Sequence, residues 1–231
     1  MIRRSGAIAL LVLPLALIPQ VAAAAKSTSV NVRVEGIHKT LFEGDVKTTV
    51  HKVNGHDGTG AHKCNGTNNG ANKKAGPTVT GAFDDAVRST STAWHGKWYP
   101  SFHDFVIDRV GPDSATTTKF WNLELNWQDT SLGGCQQEVK KGDQVLIAYD
   151  AFGKPLLELT GPKQAHQGKK FAVKVVNGRN GDPIAGAKVG GHATNSKGKV
   201  RLKIGHTGTV RLKAKKPGTI RSNELDVVVQ P

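Results

Sequence analysis

Val30-Asn31-Val32-Arg33-Val34-Glu35 alternates apolar with polar residues, the period of a strand that buries one face. Gly36 to Lys39 can turn the chain, and Thr40 to Val50 reads as a second strand, so the stretch predicts a hairpin. Working outward, Gly81 to Arg88 predicts a short helix, and Phe105-Val106-Ile107, Phe120 to Trp127 and Gln144 to Tyr149 predict three more strands. Trp121, Leu123, Leu125 and Trp127 fall on one face of the middle one. The order strand, strand, helix, strand, strand, strand predicts an α+β sheet with one helix across it. Asn54 to Pro77, rich in Gly, Asn, Lys and His, predicts a long surface loop.

Further along, alternation becomes strict. Phe171, Val173 and Val175 share one face, as do Val200, Leu202 and Ile204; Val210, Leu212 and Ala214; and Leu225, Val227 and Val229. Turn signals such as Asn177-Gly178, Asn180-Gly181-Asp182-Pro183 and Lys216-Pro217-Gly218 separate them. Short strands at this spacing predict an all-β sandwich. The fold class expected is therefore mainly β, with a leader at 1–25, an α+β domain at 26–153 and a β-sandwich domain at 154–231.

Met1 to Ala25 has the three parts of an export signal: Arg3 and Arg4, the apolar run Ile8 to Ile18, and the small residues Val21 to Ala25. The run falls short of the ~20 residues that span a bilayer, so the reading is a secreted chain with no transmembrane segment after cleavage. Cys64 and Cys135 are the two cysteines. In an exported chain an even count predicts one disulfide, tying the Cys64 loop to the Gly133-Gly134-Cys135 turn. Such a link stabilises by ~3–4 kcal/mol.

Charge is unevenly spread. Lys26 to Leu156 carries 15 basic and 14 acidic residues; Leu157 to Pro231 carries 15 basic and 4 acidic. Both Tyr and all four Trp precede residue 150, while the last 75 residues hold only Phe171 among aromatics. This double shift marks a boundary near Gly153-Lys154-Pro155. If 199–204 and 209–214 pair through the Gly205–Gly208 turn, Lys199, Arg201, Lys203, Arg211 and Lys213 form one basic face. That face predicts either a solvated outer surface or docking to an anionic polymer of the cell envelope. Nucleic acid is disfavoured, because this region has no aromatic platform for bases.

Aromatics mark the other region. Trp94, Trp98, Tyr99, Phe102 and Phe105 fall within twelve residues, followed by Trp121 and Trp127. Phe102, Phe105 and Trp121 are expected in the core. Trp94, Trp98 and Tyr99, in a segment with Gly96 and Pro100 unlike a regular strand, are with Trp127 the candidates for stacking on a small molecule or glycan. The nine histidines form no HExxH, HxH or carboxylate–His spacing. Asp84 and Asp85 are adjacent and are expected to point apart as exposed charges. With no nucleophile motif and no phosphate loop, the reading assigns no catalytic residue, no metal and no cofactor, and the chain is expected not to be an enzyme. A purely structural pair of spacer modules is the alternative to a binding protein.

His62-Lys63-Cys64-Asn65-Gly66-Thr67-Asn68-Asn69-Gly70-Ala71-Asn72, Gly76-Pro77-Thr78, Trp98 to Phe105, Gly133-Gly134-Cys135 and Gly142 to Asp150 resemble a family of secreted actinobacterial proteins of unknown function. Their domain is similar to the carboxy-terminal β-domain of transcobalamin and intrinsic-factor proteins, a β-grasp-like fold. The resemblance spans roughly residues 30–150 and implies that fold, with no catalytic residue assigned. Those carriers hold cobalamin against a helical barrel, and this chain has none. Gly181 to Val189, with Ser196 to Lys199, resembles bacterial immunoglobulin-like repeats of envelope and extracellular proteins, which implies a spacer or adhesion role.

Overall fold

The computed structural model describes residues 27–231; the expected leader at 1–25 lies outside them. The protein is mainly β, in several separate sheets. Its first part runs β1 (Thr28–Glu35), β2 (Thr40–Thr48), β3 (His51–Asn54), β4 (Ala61–Cys64), α1 (Val79–Ser89), β5 (Trp94–Tyr99) and β6 (Asp104–Val110). It continues through β7 (Asp113–Ser114), β8 (Trp121–Leu125), β9 (Gln128–Asp129) and β10 (Gln144–Tyr149). The second part comprises β11 (Leu157–Thr160), β12 (Gln164–His166), β13 (Lys170–Asn177), β14 (Lys188–Val189) and β15 (His192–Ala193). After these come β16 (Lys199–Lys203), β17 (Gly208–Leu212), β18 (Ala214–Lys215) and β19 (Leu225–Gln230).

The first part is built on a sheet of order β2-β1-β10-β8-β9, with β1 and β10 parallel. Val30, Val32 and Val34 of β1 and Val145 and Ile147 of β10 share a core with Val79, Ala82, Phe83, Ala86 and Val87 of α1. Thr78 caps the helix by accepting from Gly81 N at 3.2 Å. The other face is buried too. Arg33 and Glu35 are 4% and 1% exposed, covered by the second part. Leu146 and Ala148 of β10 meet Ala151, Leu156 and Ile220 in a small apolar cluster there. The alternation of β1 thus separates two buried environments, an apolar one under the helix and an ionic one at the junction.

Three readings of the first part are corrected. The 54–77 segment is only partly loop: β3 and β4 pair as a hairpin, His51 opposite Cys64. Beyond it, the amides of Asn68 and Asn72 donate to the Lys63, His103, Gly66 and Gln136 carbonyls at 2.6–2.9 Å, replacing strand pairing with side-chain donors. The Cys64–Cys135 disulfide is formed. The 94–99 segment is a regular strand paired with β6, with a register shift at His95/Gly96. Trp127 is not on β8: that strand ends at Leu125, and Asn126 and Trp127 form the turn into β9.

In the second part, three small sheets, β11-β13-β16, β12-β19-β17 and β15-β14-β18, enclose one core containing Leu159, Val173, Val175, Leu202, Leu212 and Val227. The expected pairing of 199–204 with 209–214 does not occur. β16 pairs with β13, and β17 with β19. The chain crosses from one sheet to another through Gly205–Thr207, because both strands must point their apolar residues at the same core from different sides.

Candidate functional site

The aromatic candidates separate. Trp94 is 3% exposed, edge-on to Phe83 and Phe105, and its indole N–H donates to Asp84 Oδ1 at 3.0 Å. It is a core residue and lines no groove. Trp98 is half-buried and stacks on His62 with ring centroids 4.1 Å apart and planes 4° from parallel. Tyr99 is half-buried, with the Lys97 ammonium 5.2 Å from its ring centre. Phe105 and Trp121 are buried as expected, whereas Phe102 is 61% exposed; it sits in the turn between β5 and β6, where no core wall faces it.

Trp127 belongs to the junction. Its backbone is left-handed, φ 68°, after Asn126 at φ 50°. The Arg33 guanidinium lies 5.0 Å from its ring centre, and Gly178 approaches so closely that an added Cβ would stand 2.5 Å from the indole. With those contacts made, what Trp127 adds to the adjoining cleft of about 400 Å³ lies among the polar side chains of Asn31, Gln144, Glu158 and Asn223.

Junction contacts also sort the cations of the second part. Lys213 is corrected from exposed to inward-facing: its ammonium donates to Glu35 Oε1 and Glu43 Oε2, both at 2.7 Å, and to Thr40. Arg221 Nε donates to Glu35 Oε2 at 2.7 Å. Arg179 bridges Glu124 and Asp129, each at 2.8 Å. Burial, then the Asp129 carboxylate beside it, push the Glu124 pKa up to about 8 against the pull of Arg179. That balance favours the protonated form of Glu124 near neutrality. Arg211, on β17, faces Glu224 and Asp226 at 3.6 and 3.8 Å, so its charge is locally balanced.

Five other cations form a basic face on the β13–β16 pair. Directly opposed residues of an antiparallel pair point to the same side. Lys170 lies opposite Lys203, Ala172 opposite Arg201, and Lys174 opposite Lys199. All six are exposed, and none of the five cations has an ion-pair partner among the described residues. The short Ala172 leaves a hollow between them: Ala172, Asn195, Lys199, Val200 and Arg201 line a concavity of about 410 Å³. A third pair of this kind, Lys188 opposite Lys215, lies on β14 and β18. Lys199, Arg201 and Lys203 are thus brought together, Arg211 and Lys213 are not, and Lys170 and Lys174 were missed. The signal for them was present: they fall on the polar positions between Phe171, Val173 and Val175.

Asp84 and Asp85 do not point apart as free surface charges; Asp84 is 3% exposed, and both carboxylates lie near His51 Nε2. No protein-family model and no curated protein matches the chain.

Proposed function

We propose that this chain is an exported, non-catalytic binding protein that docks to an anionic polymer of the cell envelope through the outer face of β13 and β16. One observation carries the reading: five unpaired cations occupy that face in two directly opposed lysine pairs flanking Arg201 over a hollow. Like charges opposite one another destabilise a sheet, so their retention in register is explained by an external anion that spans them. Lysines on the edge strand β16 would deter edge pairing by themselves, but Lys170 and Lys174 lie on the central strand β13. Repeating anionic groups along a polymer suit such rows, whereas one small anion would meet only part of them.

The finer fold reading belongs to this proposal: a β-grasp-like domain at 26–153 and an immunoglobulin-like domain at 154–231, exported by the leader at 1–25. The parallel β1–β10 pair with α1 across it supports the first. The antiparallel pairs closing on one core support the second. The test is co-sedimentation of the full exported chain with purified cell wall at low and high salt. The reading predicts binding at low salt that falls steeply as the Debye length shrinks; no binding at low salt leaves the spacer alternative.

A further inference from the structure

His51 Nε2 and Thr48 Oγ1 are buried together beside α1, and the carboxylates they face are Asp84 and Asp85. His51 Nε2 lies 3.4 Å from Asp84 Oδ2 and 3.8 Å from Asp85 Oδ1, and the three ligand-type atoms fall within 4.8 Å of one another. Thr48, with no solvent exposure, flanks the same spot. An added Cβ on Gly81 would be 3.8 Å from its Oγ1 and 3.4 Å from His51 Cε1. We infer that His51, Asp84 and Asp85 form a binding site for a divalent first-row transition ion of zinc's character.

The orientation of each ligand is fixed by a second contact. His51 Nδ1 lies 2.9 Å from the Thr49 carbonyl, which sets Nδ1 as the donor and turns the Nε2 lone pair toward the two carboxylates. A lone pair so placed is satisfied by a proton or by a metal ion. Asp84 is held by the Trp94 indole N–H at 3.0 Å. Partners of this kind, on the far side of the imidazole and the carboxylate, are the usual support of a metal ligand set. One imidazole and two carboxylates suit a borderline ion bound at about 2.0–2.2 Å. Tetrahedral bonds of that length put neighbouring ligand atoms about 3.3 Å apart, so the His51–Asp84 spacing is already in place, while Asp85 must close in on both, from 3.8 Å at His51 and from within 4.8 Å at Asp84. Arg88 competes, donating to Asp84 Oδ2 at 3.1 Å; its own side chain is 67% exposed, so it can turn to solvent when an ion takes that oxygen. His51 and Asp85, each partly open to solvent, leave an entry path from which a water can serve as fourth ligand, and Thr48 supports the Asp85 carboxylate from behind.

No spacing in the sequence announces this site, because the histidine comes from a hairpin and the carboxylates from a helix more than thirty residues later. The test is equilibrium dialysis of the full exported chain against Zn2+, with Co2+ absorption reporting the ligand geometry and Tm as a second readout. The inference predicts one ion per chain, a Tm raised by Zn2+, and loss of about tenfold or more in affinity in both His51→Ala and Asp85→Asn. His62→Ala and His95→Ala keep the wild-type affinity. Absence of a one-equivalent site in the wild-type chain overturns the inference, as does wild-type affinity retained in either His51→Ala or Asp85→Asn.

Discussion

Glu35 has the most demanding environment of any single side chain here. It is 1% exposed and accepts from Thr40, Lys213 and Arg221. A buried carboxylate with these partners is compensated, but removing it takes the carboxylate from Arg221 and leaves Lys213 with Glu43 alone. Glu35→Ala is therefore expected to lower stability by about 3–5 kcal/mol, read by urea denaturation, with Glu35→Gln in between. Trp94→Phe removes the donor to Asp84 while keeping an aromatic ring, and costs about 1–3 kcal/mol by the same assay. At this scale the sequence was half informative. The alternation of Val30 to Glu35 identified the strand and its helix-facing side. That Arg33 and Glu35 are also buried depends on a partner surface more than a hundred residues away, and local periodicity carries no term for it. The run Val145-Leu146-Ile147-Ala148 did carry that signal, since a continuous apolar strand is one buried on both faces.

Among the elements, the turn Asn126-Trp127 concentrates strain and contact. A left-handed conformation is unusual for a bulky side chain, and it persists because Trp127 is seated against Arg33, Gly178 and the junction cluster. Trp127→Ala is expected to cost about 3–5 kcal/mol, measured by denaturation; the lost packing outweighs any relief of backbone strain. The disulfide acts on a different element, the segment between β4 and α1. Reduction frees a link spanning 71 residues and is expected to remove about 3–4 kcal/mol, seen as a lower Tm under reducing conditions. Strand positions were legible from alternation, but their pairing was not: β16 and β17 each have an apolar face suited to a hairpin, and only the shared core decides that they join different sheets. The hairpin of β3 and β4 was hidden for the opposite reason. Its polar composition buries little, and its order comes from Asn side chains and the disulfide.

Across the whole molecule, buried acids set the response to pH. Burial pushes Glu124 up to about 8 and Asp104 up to about 6, the latter against N–H groups of Phe105 and Cys135. The hydrogen bond to Asp84 raises His51 as well. A group whose folded pKa lies above its unfolded value stabilises fully below the unfolded value and loses that contribution as pH rises through the folded one. Tm is therefore expected to fall between about pH 4 and pH 8. Glu124→Gln flattens the upper part of that slope; a Tm that climbs across the window contradicts the assignment.

Net charge works at the same scale. Part of the basic excess after Leu157 is consumed at the junction, by Arg179, Lys213 and Arg221, and another part forms the five-cation β13–β16 face. The composition located the excess in the second part, and only the folded arrangement separates the two uses. The most direct measurement is the affinity of the full exported chain for a defined polyanion, polyphosphate, at low salt. Three chains are compared: wild type, Lys199→Gln/Arg201→Gln/Lys203→Gln, and Lys52→Gln/Lys73→Gln/Lys74→Gln, which removes the same charge from the first part. The first triple variant is expected to lose about tenfold or more, roughly 1.4 kcal/mol, while the second stays within about twofold of wild type. Equal losses in both variants, or none in the first, would contradict docking through the β13–β16 face.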